Sequence, residues 1–307
     1  MNKFTYSLYI LLFLLKTGNV LSDSNLFHVD NIVVEKENYN NEELLNSAIK
    51  LSFLQLTNKI LLAKDLETIS KINLNDIKKL VATYQIVENK SLKKKSKITY
   101  NLSYDIDKVR YFFHKKGIKY ADLSNTDLII FPVLVENENF YLFSENYFYN
   151  NWNSQLTKKK TTEELINYIL PLENLEDIQM INTNKENLEA INIEKILSNY
   201  DVPNYVFLII KYSKDKTEIL LKGLLSNNKI IKNIKYTNMH KDKETHLGEI
   251  MNKLKFEINE LWKMQNLIDV RTPSFLNIVL DIKKQSDLLT LQSKLNKIEL
   301  IENYYVV

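Results

Sequence analysis

Cysteine is absent from the 307 residues, so neither a disulfide nor a lipid-bearing thiol is available. Stability then has to come from buried side chains, and a hydrophobic content of 45% is ample for that. Glycine is nearly as scarce: after Gly18 only Gly117, Gly223 and Gly248 occur. A phosphate cradle needs glycine so that backbone amides can approach the anion, which excludes a nucleotide loop. There are four histidines, a thin supply for metal or proton chemistry. His240 and His246 stand six apart, which on one helix turns them about 120° from each other. No H-E-x-x-H spacing exists either, so neither metal nor cofactor is expected, and both residues read as exposed polar positions before a long helix.

Arginine is confined to Arg110 and Arg271, and 41 basic residues face 38 acidic ones. That balance gives nucleic acid no basic footprint to hold. No G-x-S-x-G elbow is present; Ser91 and Lys94 match S-x-x-K formally, inside a lysine-rich turn.

What is present begins with a leader. Lys3, the apolar run Leu8 to Leu15 and the exit Val20-Leu21-Ser22 have the order of a secretory signal peptide cleaved after Ser22. Lys16, Gly18 and Asn19 interrupt the run short of the roughly 20 apolar residues of a membrane span. No later stretch is long and apolar enough to cross a bilayer. The expected location is therefore the periplasm, without a transmembrane segment once the leader is removed.

Periodicity divides the rest into three units, 23–122, 123–270 and 271–307. In the first, Phe27, Val29 and Val33 mark a strand, and Asn40 or Asn41 caps a helix with Leu45, Ile49, Leu56 and Ile60 inward. A shorter helix follows Asn75. A hairpin comes next, with Tyr84, Ile86 and Leu92 on one arm and Ile98, Tyr100, Leu102 and Tyr104 on the other. Its turn, with Lys90, Lys93, Lys94, Lys95 and Lys97, reads as solvated. Asp105 caps a helix that Gly117 closes.

In the second unit, the near-continuous apolar run from Asp127 suits a strand covered on both faces. Thr161 to Leu170 fits a capping box or a strand equally well. Asn192 caps a helix to Tyr200. A meander follows over Tyr205 to Tyr212, Thr217 to Leu225 and Ile230 to Tyr236, with turns at Lys214 to Lys216 and Asn227-Asn228. A long helix carries Leu247, Ile250, Leu254, Ile258, Leu261 and Gln265 on one stripe. The third unit reads strand (Phe275 to Ile282), helix (Asp287 to Lys297, with Leu288, Leu291 and Leu295 inward) and strand (Leu300 to Val307). The class is α+β: two α/β sandwich-like modules with mixed and antiparallel sheets, plus a half ferredoxin-like β-α-β.

The segment "LFSENYFYNNWNSQ", 142–155, sets asparagines among five aromatics. Phe148 and Trp152 are expected to anchor it in a core, the alternative being a recognition surface of Tyr147, Trp152 and Asn153. Tyr304 and Tyr305, on the last strand, are further candidate contacts for a partner.

The order of leader, "FHVDNIVVE", the hairpin from "IKKLVATYQIV" to "YNLSYDIDKVRYFF" and "LIIFPVLV" resembles a bacterial envelope family known as domain of unknown function 2066. The aromatic segment resembles its tryptophan-bearing motif L-W-x-x-x-N-x-W-x-x-A-W, with Trp152 matching and Phe143 in place of the first tryptophan. "LPLENLED" resembles its P-L-G-D-L-E-D motif, with Pro171, Leu175, Glu176 and Asp177 matching and Glu173 replacing a glycine. More remotely, the middle unit looks similar to the amino-terminal domain of TolB. The resemblance implies an envelope location and no known enzyme activity, since the family has none assigned. A non-catalytic protein that binds another envelope component, through the edge of Leu300 to Val307, is the leading expectation. The alternatives are an envelope-polymer hydrolase using Glu176 and Asp177, or a small-molecule binder.

Overall fold

The computed structural model describes residues 25–35, 40–87, 97–121, 126–154, 165–197, 200–238, 242–268, 284–295 and 298. The leader, Lys90 to Lys95, Thr161 to Glu164, His240, the strands at 275–282 and 300–307, and with them Tyr304 and Tyr305, lie outside the described residues.

Strand β1 (His28–Glu35) precedes helix α1 (Asn41–Ile60). Asn40 accepts from the Glu43 amide while the Glu43 carboxylate takes the Asn40 N–H, a complete capping box. The buried stripe of α1 runs through Leu44, Ile49, Phe53, Leu56 and Ile60. Leu45, expected first in that stripe, is half-buried, one position round the helix from Leu44. A short turn α2 (Leu66–Ser70) leads to α3 (Leu74–Leu80), which Asn73 rather than Asn75 caps by accepting from the Asp76 amide. Then come β2 (Val81–Val87), β3 (Lys97–Tyr104) and α4 (Ile106–Lys116). Asp105 caps α4, and Gly117 closes it at φ 64°. The three strands form an antiparallel sheet in the order β1-β3-β2.

Strand β4 (Tyr120–Ala121) is followed by β5 (Thr126–Glu136), β6 (Asn139–Tyr141) and α5 (Tyr147–Asn151). Within the ambiguous stretch, Ile166–Ile169 form a strand, β7, parallel to β5. Next are α6 (Leu175–Thr183), α7 (Ile193–Leu197), β8 (Tyr205–Tyr212), β9 (Lys216–Leu225) and β10 (Asn228–Thr237). Helix α8 (Lys243–Gln265) and β11 (Leu267–Ile268) follow, then α9 (Gln285–Leu295), on which Leu288, Leu291 and Leu295 are half-buried. The hairpin β9-β10 turns on Ser226 and Asn227, both at positive φ, one residue earlier than the expected Asn227-Asn228. That pair of left-handed residues is the turn whose twist matches antiparallel strands.

The second sheet has the order β10-β9-β8-β5-β6, with β7 also on β5. It is mixed: β5 pairs β8 and β7 in parallel and β6 antiparallel. This is an α+β protein with one mixed and one antiparallel sheet as its main layers. Strand β5 has the double coverage its composition called for. Leu128, Ile130 and Leu134 face one core, while Ile129, Phe131 and Val133 face another with Phe207, Ile209, Ile181 and Ile196. Gly223 on β9 is there for space, because a Cβ would lie 2.5 Å from the Tyr205 carbonyl oxygen.

The first of those cores is continuous with the core of the three-stranded sheet, joining Leu44 and Phe113 to Leu254 and Trp262. A polar clamp fixes the junction. Lys263 of α8, almost fully buried, donates to the carbonyls of Asn58 (2.7 Å) and Leu61 (2.8 Å) and pairs with Glu260 (3.1 Å). Glu260 in turn accepts from the Ala63 amide at 2.9 Å. A cation at the carbonyl end of α1 sits where the helix dipole favours it.

Candidate functional site

Strand β5 contains Pro132, which has no N–H to give a sheet. On one side it is in register with Leu208 of β8. On the other, β7 covers Thr126 to Ile129 and β6 covers Leu134 to Glu136, leaving a gap at Pro132. The aromatic segment fills that gap. Asn146, fully buried, donates to the carbonyls of Pro132 (2.9 Å) and Tyr141 (3.0 Å) and accepts from the amide of Phe148 (2.8 Å). One amide side chain thus replaces a stretch of sheet ladder and caps α5.

The other asparagines work in the same way. Asn150 donates to Ser144 O, Asn151 to Tyr147 O and Asn153 to Tyr168 O, all backbone carbonyls. Phe148 and Trp152 have no exposed surface, and the Trp152 indole packs edge-on to Tyr168. The segment is therefore a plug in the core, as the anchoring role of Phe148 and Trp152 required. Trp152 offers no surface to a partner, because β7 and the Lys255 stem of α8 enclose it. Tyr147 is half-buried over Gly248 of α8, with its hydroxyl 3.3 Å from where a Cβ would stand. Burial raises its pKa, aided by Glu244 and Asp242. Asn153 is exposed.

Glu176 and Asp177 open α6. Glu176 is exposed, whereas Asp177 is enclosed. Asn174 accepts from the Asp177 amide and donates to its carboxylate. Desolvation raises the Asp177 pKa, opposed by the Asn174 hydrogen bond. This is the geometry of an N-terminal cap.

His246 corrects the expectation of an exposed residue. It is buried, with Nε2 2.6 Å from Asn238 Oδ1, an oxygen that also accepts from Thr217. It lies four residues before Ile250 and so belongs to the inward stripe of α8. Among the described residues, no group of three His, Asp or Glu is placed to hold a metal. A shallow groove of about 90 Å³ lies between Val135, Phe140, Lys185, Ile209 and Lys211. It is well below the roughly 300 Å³ of ordinary ligand sites. No helix of the described residues is long and apolar enough to cross a membrane.

Two surface features were not anticipated. Leu175, the first residue of α6, points outward, as does Leu172 on the loop before it, each 75% exposed. The loop backbone is nevertheless pinned: the Leu172 amide donates to the Tyr200 hydroxyl, and the Tyr149 hydroxyl donates to Pro171 O, both at 2.7 Å. Among the described residues, β2 is an edge strand, on which Tyr84 and Ile86 are 49% and 59% exposed. Leucine periodicity predicts burial, so neither exposure is visible in sequence.

No family model matches the chain, and no curated protein matches it either. Among solved structures, lipoprotein GNA1162 from Neisseria meningitidis aligns over 43% of this chain and 95% of its own, at 10% identity and a TM-score of 0.26. Hypothetical protein CT253 from Chlamydia trachomatis aligns over 46% and 99%, at 10% identity and a TM-score of 0.28. A third, an uncharacterised protein, covers 47% of this chain at 8% identity and a TM-score of 0.18. At such TM-scores these likenesses carry no argument about this chain.

Proposed function

We propose that this is an exported, non-catalytic protein of the cell envelope that binds another envelope protein through the loop preceding α6 and the first turn of that helix. The resemblance to domain of unknown function 2066 belongs to the same reading. The observation that carries it is Leu172 and Leu175. Two large apolar side chains stand three-quarters in water, Leu172 on a loop held by Tyr149 and Tyr200 and Leu175 on the first residue of α6, which Asn174 caps. A pinned loop displaying leucines has the character of a binding anchor, since its ordering cost is met before a partner arrives. Glu173 and Glu176 beside them give the site an acidic rim, suited to a basic border on the partner.

A photo-reactive residue in place of Leu172, in the full chain in its native cell, tests this. The expected result is one discrete adduct recovered from the envelope fraction and lost in Leu175→Asp. Protein retained in the cytoplasm, or irradiation that gives no adduct, would overturn the proposal.

A further inference from the structure

We infer that strand β2 is a self-pairing edge, by which two copies of this chain join their three-stranded sheets into one six-stranded sheet. An open strand edge is a hazard that proteins ordinarily blunt with charge, proline, bulges or shortness. The other edges among the described residues carry such devices. Strand β10 has Lys229, Lys232 and Lys235. Strand β1 has a bulge at Asn31, which sits at φ 58°, together with Asp30 and Glu35. Strands β6 and β7 are three and four residues long.

Strand β2 reads Val81-Ala82-Thr83-Tyr84-Gln85-Ile86-Val87, without charge or proline. Its pairing with β3 slips between Val81 and Thr83, so the regular part is Thr83 to Val87. Thr83 to Ile86 are all exposed.

That regular part is complementary to itself. In an antiparallel pair centred on Gln85, Tyr84 stands opposite Ile86 of the second copy and Ile86 opposite its Tyr84. Both pairs lie on the face that Leu102 and Tyr100 occupy in β3, so they extend an existing apolar surface. Gln85 meets its own counterpart on the other face, where two amides can bond, and Thr83 lies opposite Val87. Directly opposed residues of an antiparallel pair share a face, and an aromatic side chain opposite a β-branched one is among the favoured pairs. Self-complementarity of this kind is what a two-fold contact demands. It favours a second copy over an unrelated strand. Five residues a side make a small interface, so the dimer is concentration-dependent.

The on-axis residue makes the test selective. Because Gln85 is exposed and polar, Gln85→Lys and Gln85→Glu should leave the fold and melting temperature intact. Sedimentation of the purified chain should show monomer giving way to a species of twice the mass as concentration rises. Each single variant should weaken that association about tenfold or more, and an equimolar mixture of the two should restore it. Since the chain has no cysteine, Gln85→Cys should oxidise to a linked dimer, whereas Lys229→Cys on β10 should not. A wild-type chain that stays monomeric at millimolar concentration, or single variants that associate as well as wild type, would overturn the inference. So would equal cross-linking from both cysteine positions. These measurements need only the purified protein, so their failure leaves the proposed partner loop untouched.

Discussion

The two main sheets contrast in how many faces they cover. The central strands of the six-stranded sheet, β5 and β8, are apolar at successive positions and bury both sides, Leu128 against Ile129 and Leu208 against Ile209. The three-stranded sheet buries Tyr100, Leu102 and Tyr104 beneath α1 and turns Val33, Gln85 and Asn101 toward solvent. Sequence period follows coverage: a near-continuous apolar run in β5, an alternating one in β3. The doubly covered sheet should therefore be the sensitive one, and the open sheet the tolerant one.

Trp152→Ala gives the largest expected effect. It empties a fully buried site against β7 and should cost about 3 to 5 kcal/mol in denaturant unfolding; an unchanged midpoint would remove the plug from the account. Lys263→Met attacks the junction between the sheets. It strands the carbonyls of Asn58 and Leu61 beside a carboxylate and should cost about 3 kcal/mol. Val133→Thr brings a hydroxyl into the closed core and should cost about 1 to 3 kcal/mol. The same exchange at Val33, 45% exposed on the open face, should stay within about 0.5 kcal/mol. Equal effects at the two valines would erase the contrast.

The smallest difference is one of pH. Burial raises the Tyr104 pKa above its ordinary value, with a smaller opposing contribution from the Ser52 hydroxyl 2.5 Å away. The folded state then holds this proton more tightly than the unfolded chain does. Its contribution is intact below about pH 10 and is lost as pH rises toward the folded pKa. Tyr104→Phe should cost about 1 kcal/mol at neutral pH and make the alkaline fall in stability shallower; an unaltered slope would mean that other buried tyrosines govern it.

Local chemistry in this chain was legible where the information is local. The Asn40 cap, the Asp105 and Gly117 ends of α4, the meander and the inward stripe of α8 all follow from spacing. Small slips had local causes: Asn73 and Asn75 are equally good caps two positions apart, and Leu44 and Leu45 are adjacent leucines. His246 lies on the inward stripe, but its residue type suggests exposure, and its partner Asn238 belongs to the connection before α8, outside any helical spacing. The gap beside Pro132 was not readable at all. It depends on where β6 and β7 stop, and only the assembled sheet shows why an asparagine must sit among aromatics. The exposure of Leu172 and Leu175 was hidden for the same reason.

The ladder between β5 and β8 carries a consequence for the order of assembly. Hairpins β8-β9 and β9-β10 join neighbours in the chain, and such hairpins close in about 1 to 10 μs. Phe131 reaches Phe207 only after the intervening helices have been brought into line. Loop closure of that span delays the parallel ladder relative to the meander. Substitutions at the Ser226-Asn227 turn should accordingly slow refolding, and those in β5 should mainly hasten unfolding.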